Sequence, residues 1–158
     1  RYRVGANLFE ILFDLSYRRH GALIVFCEDD NCEDYICNQG SLVSEQGSSF
    51  HQTIFSRIDN ISLDEVNSDN VYKPLILELA SIDGALVFNK NNGKILAFGA
   101  ILRDHPKASS KIGARSAAAI SSFNHCMTPF KISSDGEIVT YFKEECNGEK
   151  ELVKMSFL

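Results

Sequence analysis

The chain has 158 residues, of which 44% are hydrophobic, and its formal net charge is −5. This length can bury the core of one globular domain, and no apolar stretch is long enough for a membrane-spanning helix. The negative charge argues against broad electrostatic binding to nucleic acid, because that mode needs a cationic face. We therefore expect one soluble domain over residues 1–158, with no membrane segment and no nucleic-acid partner.

The sequence starts at Arg1 without a secretion signal, so we expect a domain cut from a longer protein. An odd number of cysteines without such a signal is typical of reduced thiols and predicts a cytoplasmic protein. Their spacing lacks the close ligand pair of a zinc site, which favours structural or incidental thiols. The four histidines are scattered along the chain, and we interpret them as surface or locally hydrogen-bonded residues. The five cysteines are Cys27, Cys32, Cys37, Cys126 and Cys146.

The first predicted elements are an amphipathic helix and a buried strand. Apolar residues recur at helical spacing over about Tyr2–Arg18, and Gly21 can supply the left-handed stop. The apolar run Ala22–Phe26 is typical of a strand covered on both faces, which places it in the centre of a sheet. The polar stretch 27–47 predicts turns, with a short strand around Tyr35–Cys37.

The middle of the chain combines a predicted helix with a polar insertion. Phe50, Ile54 and Ile58 repeat at helical spacing, which predicts a helix that begins at Ser48 or Ser49. Residues 59–70 are acidic and polar, and we interpret them as the start of an exposed insertion at about 59–80. Residues 73–80 regain apolar character, and periodicity leaves open whether they form a short helix or a strand.

The second half of the chain predicts two hairpins, a helix between them and a closing strand. Runs at 84–88 and 94–102 flank an Asn- and Gly-rich turn, and 129–133 and 137–142 flank Ser134-Asp135-Gly136. Small residues predict a helix from about Ala114 to Phe123. Asn147-Gly148 predicts a third turn, into residues 151–157. The fold class is therefore α/β, with a mixed central β-sheet flanked by helices on both faces.

Two short segments carry candidate ligand chemistry. Asp83 stands at the mouth of the apolar run that begins at Gly84, and Arg115 follows a small-residue turn at Gly113. A carboxylate suits a divalent metal ion, whereas Arg and the free amides of a helix N-terminus suit phosphate. Gly84 would let the backbone approach a ligand. Nucleotide binding is the first hypothesis, and the alternatives are that Asp83 caps a turn and that Arg115 is a solvated helix residue.

The order of these segments resembles the diadenylate cyclase domain, a family that condenses two ATP molecules into cyclic di-AMP. The resemblance covers roughly Leu8 to Phe142, from the run Arg19–Phe26 through Asp83-Gly84-Ala85 to the Gly-x-Arg helix. It implies a Mg²⁺ or Mn²⁺ ion when a nucleoside triphosphate is bound. It also implies a catalytic role for Asp83 in metal binding and in activation of the ribose 3′-hydroxyl.

The family's motifs carry over unevenly. Its first motif, Asp-Gly-Ala, is fully matched, whereas Gly113–Ala119 keeps one Arg of the second motif, Gly-Thr-Arg-His-Arg-Ala-Ala. The resemblance places Leu102 against adenine, and Arg103 could add positive charge near a phosphate. The nucleotide-binding residues that it implies are Gly84, Ala85, Leu102, Arg103, Gly113, Ala114, Arg115, Ser116, Ser133 and Ser134.

A third family motif, Ser-Glu-Glu-Thr-Gly, supplies a further acidic metal ligand. This chain has the shorter Ser133-Ser134-Asp135-Gly136, so the resemblance implies metal ligation by Asp83 and Asp135. Ile82 stands where the family usually has His. The departures therefore fall on the catalytic motifs, while the strands that build the fold agree.

These departures favour a degenerate diadenylate-cyclase-like domain that binds an adenine nucleotide or a cyclic dinucleotide as a sensor. Such a sensor would report its occupancy to a fused effector domain or a protein partner. The first alternative is a working diadenylate cyclase that uses Asp83, Arg115 and Asp135, and the face-to-face assembly of the family would then imply a homo-oligomer. The second alternative is a scaffold domain that binds no ligand.

Overall fold

The computed structural model describes residues 2–28, 32–38, 43, 58, 61–66, 72–106, 113–146 and 149–157. These residues form three α-helices, two short 3₁₀ helices and six β-strands. The helices are α1 (Tyr2–Tyr17), α2 (Tyr72–Ser81) and α3 (Ala114–Asn124), with 3₁₀ turns at Glu33–Tyr35 and Leu63–Glu65. The strands are β1 (Ala22–Cys27), β2 (Ala85–Asn89), β3 (Ile95–Ala100), β4 (Thr128–Ile132), β5 (Ile138–Cys146) and β6 (Glu149–Phe157).

The six strands form one mixed sheet in the order β3-β2-β1-β4-β5-β6. β1 and β2 run parallel, and the other neighbouring pairs are antiparallel. All six residues of β1 are buried, as expected for an interior strand covered on both faces. The predicted central position of this strand and both predicted hairpins, β2–β3 and β4–β5, are confirmed.

Side chains of β1 alternate between two hydrophobic clusters. Ala22, Ile24 and Phe26 pack with the apolar faces of α1 and α2, whereas Leu23, Val25 and Cys27 pack on the α3 side of the sheet. Helices therefore cover both faces, which confirms the predicted α/β architecture. Residues 73–80, left open between helix and strand, belong to α2. Among the described residues, no helix has both the length and the apolar character needed to cross a membrane.

The topology brings four chain segments to one edge of the sheet. The parallel strands β1 and β2 both begin there, because Leu23 pairs with Ala85. The antiparallel strands β3 and β4 end there, because Ala100 pairs with Ala85 and Ile132 pairs with Ala22. Residues just before β1 and β2 and at the ends of β3 and β4 therefore become neighbours, although they are far apart in sequence.

The end of α1 differs from the prediction. The residue with a left-handed backbone is Arg19, with φ 54°, whereas Gly21 keeps a negative φ. The helix ends at Tyr17, and the backbone amides of Arg19 and His20 donate hydrogen bonds to carbonyl oxygens of its last turn. The left-handed residue thus lies two positions before the glycine, so the expectation that Gly21 is the left-handed stop is wrong.

The predicted exposure of the insertion is also wrong where residues 61–66 are described. Ile61, Leu63 and Val66 are at most 3% exposed and belong to the core shared with α1 and α2. The backbone amide of Leu63 donates to the Gly93 carbonyl, and the Ser62 hydroxyl donates to the Asn92 carbonyl. The segment therefore packs on the β2–β3 turn, because its few apolar residues are all directed inward.

Three other local predictions have different outcomes. The strand expected at Tyr35–Cys37 is wrong, because the chain forms a 3₁₀ turn there and only Ile36 makes a β-bridge, with Leu102. The helix expected to begin at Ser48 or Ser49 lies outside the described residues except for Ile58. The turn at Asn147-Gly148 also lies outside them, although the strands on either side pair as expected.

Candidate functional site

Asp83 and Arg115 meet at the sheet edge where β1 and β2 begin. The Arg115 Nη2 atom lies 4.0 Å from Asp83 Oδ1, although the residues are separated by 32 positions and sit on different elements. The Asp83 side chain is fully exposed and that of Arg115 is 46% exposed. A contact this open contributes little to folding stability, because water competes for both charges. Its importance lies in its position, since both residues line two adjoining crevices.

The apolar crevice has a volume of about 580 Å³, which is within the range of small-molecule sites. Its walls come from the start of β1 and β2, the end of β3 and the first turns of α3. Small side chains leave this space open, and Leu23 and Leu102, which are 3% and 8% exposed, provide its large buried apolar walls. The apolar lining residues are Leu23, Gly84, Ala85, Gly99, Ala100, Ile101, Leu102, Ala114, Ala117 and Ala118, joined by Asp83, Asp104 and Arg115.

The cationic crevice, of about 370 Å³, adjoins the apolar crevice. The two crevices share Asp83, Ala114 and Arg115. The cationic crevice is lined by Asp83, Gly113, Ala114, Arg115, Ser116, Lys131, Ile132, Ser133 and Ser134. Among the described lining residues, Arg115 and Lys131 are the cations and Asp83 is the carboxylate. This arrangement suits a ligand with an apolar ring at one end and an anionic group at the other.

The N-terminus of α3 faces the cationic crevice. Gly113 precedes the helix with φ 81°, a backbone conformation that favours glycine, and it has no side chain with which to cap the helix. The first-turn residues of α3 are all described, and none of them is acidic. The free N–H groups of this turn and the positive end of the helix dipole are therefore available to an anion.

Lys131 is the cation that sequence reasoning missed. It lies on β4 opposite Leu23, and its Nζ atom donates to the Ser116 hydroxyl at 3.1 Å. Lys131 is half-buried, in a strand whose flanking residues Phe130 and Ile132 pack on the other face of the sheet. Strand alternation gives a weak signal for it, because a lone Lys between two apolar residues must point to the opposite face.

Two glycines shape the site by steric clearance. A Cβ atom at Gly21 would lie 2.7 Å from Arg115 Nη1, so the absence of a side chain leaves space for the guanidinium group. Gly84 has φ 110°, and a Cβ atom there would lie 2.5 Å from the carbonyl carbon of Gly99. The close approach that Gly84 permits is therefore to the backbone of β3, and its predicted approach to a ligand stays a prediction, since Gly84 also lines the apolar crevice.

Asn38 holds the outer wall of the apolar crevice. Its side chain donates to the Gly99 carbonyl at 2.9 Å and accepts from the Ile101 amide at 2.7 Å. The Cys37 amide donates to the Ile101 carbonyl, and the Arg103 amide donates to the Tyr35 carbonyl. Residues 35–38 thereby fix the course of the chain after β3, where Leu102 turns into the crevice. This role was also missed, because an Asn in a turn-rich segment gives no specific signal.

Asp135 and Arg103 do not join the other predicted site residues. Asp135 lines a separate depression with Phe13, Tyr17 and Arg19, and neither crevice includes it. Its carboxylate accepts from the Ser133 hydroxyl, the first cause of the lowered pKa of Asp135, and from the Glu137 amide. Arg103 is exposed and lines neither crevice.

The carboxylates at the site limit how a metal ion could bind. No cluster of three or more His, Cys, Asp or Glu side chains suited to a metal occurs among the described residues. Of the crevice residues that the structure describes, Asp83 alone can offer a carboxylate oxygen in the cationic crevice. Mg²⁺ is often held by one or two carboxylates together with the phosphates of its nucleotide. The residues therefore fit an ion that arrives bound to a nucleotide, with Asp83 as the protein ligand.

His105 and His125, which we interpreted from the sequence as scattered residues, lie together beside residues 35–38, the segment that holds the outer wall of the apolar crevice. The rings of His105 and His125 are 5.1 Å apart, and His125 is also 5.1 Å from the Tyr35 ring. The Nε2 atom of His125 is buried without a hydrogen-bond partner among the described residues. Burial, followed by the nearby His105, holds the pKa of His125 below its usual value. This pair lies next to the Arg103 backbone and lines neither crevice.

The mixed sheet with helices on both faces defines an α/β domain, and its two adjoining crevices suit a ligand with an apolar part and an anionic part. The chain is a member of the DAC family, described as DisA bacterial checkpoint controller nucleotide-binding, which its sequence matches over residues 10–146. This match confirms the resemblance to diadenylate cyclase domains.

Two solved structures have a similar fold. DacA from Staphylococcus aureus, solved as an N166C/T172C double mutant, is 20% identical with a TM-score of 0.54, and the match covers 96% of this chain and 86% of that one. A hypothetical membrane spanning protein from Bacillus cereus is 19% identical with a TM-score of 0.52, and the match covers 96% of this chain. The present chain spans only 63% of the Bacillus cereus chain, which is less than two thirds of that protein's length. No curated protein sequence matches the chain significantly.

Proposed function

We propose that this domain binds an adenine nucleotide or a cyclic dinucleotide and acts as a sensor rather than as an efficient cyclase. The base would occupy the apolar crevice against Leu102, and the phosphates would occupy the cationic crevice at the start of α3. The observation that carries the proposal is the meeting of Asp83 and Arg115, at 4.0 Å, where the two crevices join. A ligand that spans both crevices must pass these two side chains.

The chemistry at this junction favours binding over catalysis. A cyclase must activate a 3′-hydroxyl and neutralise the leaving pyrophosphate, which requires several charged groups at one place. Ser116 and Ala117 stand where the family motif has His and a second Arg, and Asp135 lies in another depression. Each lost contact to transition-state charge costs about 2–4 kcal/mol, so their combined loss should remove most turnover. Mg²⁺ or Mn²⁺, when bound with a nucleotide, would supply Lewis-acid polarisation of a phosphate beside Asp83.

Calorimetric titration with adenosine, AMP, ADP, ATP and cyclic di-AMP tests the binding proposal. Ala117→Leu should fill the apolar crevice and weaken binding of every adenine ligand, since Ala117 lines its wall. Ala6→Leu is the matched control, because Ala6 is exposed on α1, which packs on the opposite face of the sheet. If the wild-type protein binds no ligand of the panel, nucleotide binding is refuted and the scaffold alternative is favoured.

Incubation with ATP and Mn²⁺ tests the sensor against the alternative of an active diadenylate cyclase. The full exposure of Asp83 is the observation that favours this alternative, because a second bound nucleotide could reach an exposed carboxylate. We expect no accumulation of cyclic di-AMP above a protein-free control. Sustained turnover that Asp83→Asn abolishes would refute the sensor and establish the cyclase. Reporting to a fused effector domain or protein partner follows from the sensor proposal, and a ligand-dependent change in partner binding would test it.

A further inference from the structure

We propose that Lys131 and Arg115 form a two-cation clamp for adjacent phosphate groups. The clamp would make the cationic crevice selective for nucleoside di- and triphosphates over monophosphates and cyclic dinucleotides. The inference deepens the proposed nucleotide binding and rests on it. It names the class of ligand, and it assigns a specificity-determining role to a residue outside every motif of the sequence.

The position of Lys131 is set by the sheet. Directly paired residues on neighbouring strands point to the same face, so Lys131 shares the face of its partner Leu23, which packs on the α3 side. There its Nζ atom reaches the hydroxyl of Ser116, the third residue of α3, at 3.1 Å. The hydroxyl accepts one of the three ammonium protons and leaves the others for a ligand. Lys131 and Arg115 therefore approach one crevice from two different elements.

This placement is unfavourable for the protein alone. The N-terminus of a helix carries partial positive charge, so cations in its first turn are electrostatically disfavoured. Arg115 is the second residue of α3, and Lys131 is hydrogen-bonded to the third. Two cations beside a helix N-terminus thus create a concentrated positive potential that an anionic ligand would relieve.

The nearby carboxylates do not neutralise this potential. Asp83 approaches Arg115 to 4.0 Å and is fully exposed, so water screens it strongly. Lys131 forms no ion pair with any carboxylate in the described part of the chain. It contributes to the lowered pKa of Asp135, but that carboxylate is already hydrogen-bonded within its own turn.

The charge and the linkage of the phosphates favour one class of ligand. The single phosphate of AMP already carries about two negative charges at neutral pH, but two linked phosphates carry more charge and can contact Arg115 and Lys131 at the same time. The two phosphates of a cyclic dinucleotide are separated by ribose units and cannot occupy one crevice as a linked pair. The hydroxyls of Ser133 and Ser134, which line the same crevice, can donate to further phosphate oxygens. Because two cations already oppose the charge, ADP binding should not require a divalent ion.

Calorimetric titration in EDTA with AMP, ADP and cyclic di-AMP tests the clamp. We expect the wild-type protein to bind ADP about ten-fold more tightly than AMP, and cyclic di-AMP no more tightly than AMP. Lys131→Met keeps the apolar stem and removes the charge, and it should weaken ADP binding about ten-fold and abolish the preference over AMP. Lys131→Arg keeps the charge and should retain ADP affinity within about three-fold. Lys94→Met is the matched control, because it makes the same charge change on an exposed residue of the β2–β3 turn, at the opposite sheet edge.

The outcomes separate the clamp from the proposed function. If the wild-type protein binds neither an adenine nucleotide nor cyclic di-AMP, with or without Mg²⁺, both fail. If it binds cyclic di-AMP more tightly than ADP, the clamp is wrong and the proposed function stands. If it binds ADP only with Mg²⁺, or if Lys131→Met keeps the preference for ADP, the clamp is wrong and nucleotide binding stands. Thermal unfolding checks that each variant is folded. Should Lys131→Met be unfolded, Ser116→Ala decides: it removes the hydroxyl that holds the ammonium group and should weaken ADP binding about three-fold. Unchanged ADP affinity in that variant would also overturn the clamp.

Discussion

Gly21→Ala is expected to weaken anion binding and, at the same time, to stabilise the fold. The new Cβ atom would lie 2.7 Å from Arg115 Nη1 and 3.2 Å from Arg115 Cζ. Ordinary non-bonded contacts are about 3.5–4 Å, so the guanidinium must retreat by about 1 Å. The next neighbour, the Ile132 carbonyl oxygen, is 3.7 Å away and needs no adjustment. The perturbation therefore falls on the end of one flexible side chain.

This geometry predicts two effects of opposite sign, a small gain in stability and a loss of ADP affinity. Gly21 has a negative φ, so alanine can adopt its backbone conformation, and the substitution should raise the free energy of unfolding by about 0.5 kcal/mol by restricting the unfolded chain. For a domain of this size that corresponds to a rise in Tm of about 1–2 °C. Displacement of Arg115 should remove most of one charge-assisted hydrogen bond to phosphate, which is a loss of about ten-fold in ADP affinity.

The measurements are thermal unfolding and calorimetric titration with ADP, each compared with Gly5→Ala. Gly5 lies within α1, and no atom comes within 4 Å of a Cβ built there, so its replacement should raise Tm without changing ADP affinity. The reasoning is refuted if Gly21→Ala binds ADP as tightly as the wild-type protein. It is also refuted if Gly21→Ala lowers Tm, because the backbone would then be strained by alanine.

Three further predictions concern the fold around the site. Gly84→Ala should destabilise the protein by about 3 kcal/mol, since it combines a strained φ with a clash against the backbone of β3; an unchanged urea midpoint would contradict this. Burial raises the pKa of Cys32 to about 11, so iodoacetamide at pH 8 should modify the exposed Cys37 at least about ten-fold faster, and equal rates by mass spectrometry would argue against it. Because the pKa of His125 is lowered in the folded protein, the unfolded chain binds a proton at this residue first as the pH falls. The contribution of His125 to stability is therefore fully present above about pH 6.5 and is lost as the pH falls below that value. Between pH 7.5 and 5.5, urea denaturation should show a smaller loss in the free energy of unfolding for His125→Phe than for the wild-type protein. In the wild-type protein His105 also faces the His125 ring. Equal losses in the two proteins would exclude His125 as the cause.

The strands and hairpins could be predicted because their signals are local. The uninterrupted apolar run of β1 follows from burial on both faces, and the Asn- and Gly-rich turn after β2 supplies the bends that a hairpin requires. Residues 61–66 were misjudged for the opposite reason. The average composition of residues 59–70 is polar, but Ile61, Leu63 and Val66 all turn into the core, and an average over the longer stretch conceals this pattern.

The candidate site was predictable only where the two key residues lie at the ends of recognisable elements. Asp83 precedes a strand and Arg115 begins a helix, so a sheet with ordinary connections could bring both to one edge. Asp135 also flanks a strand, yet its short turn directs the carboxylate to Ser133 and Glu137. Sequence spacing could not distinguish Asp83 from Asp135, because the hydrogen bonds that hold the Asp135 carboxylate in its turn are made to Ser133 and Glu137, two positions away on either side.

The position of Lys131 shows why the charges of the cationic crevice could not be predicted without knowing the strand register. On its own strand it is a single polar residue between Phe130 and Ile132, as on any half-exposed strand, and its charge would be assigned to solvent. Pairing with Leu23 turns it to the face that α3 covers, and the helix begins at Ala114, close enough for Ser116 to bond the ammonium group. A shift of one residue in the β1–β4 register would direct Lys131 to the α1 side and leave Arg115 as the only cation among the described residues of the crevice. The proposed preference for linked phosphates is therefore a consequence of strand register, which no motif in the sequence encodes.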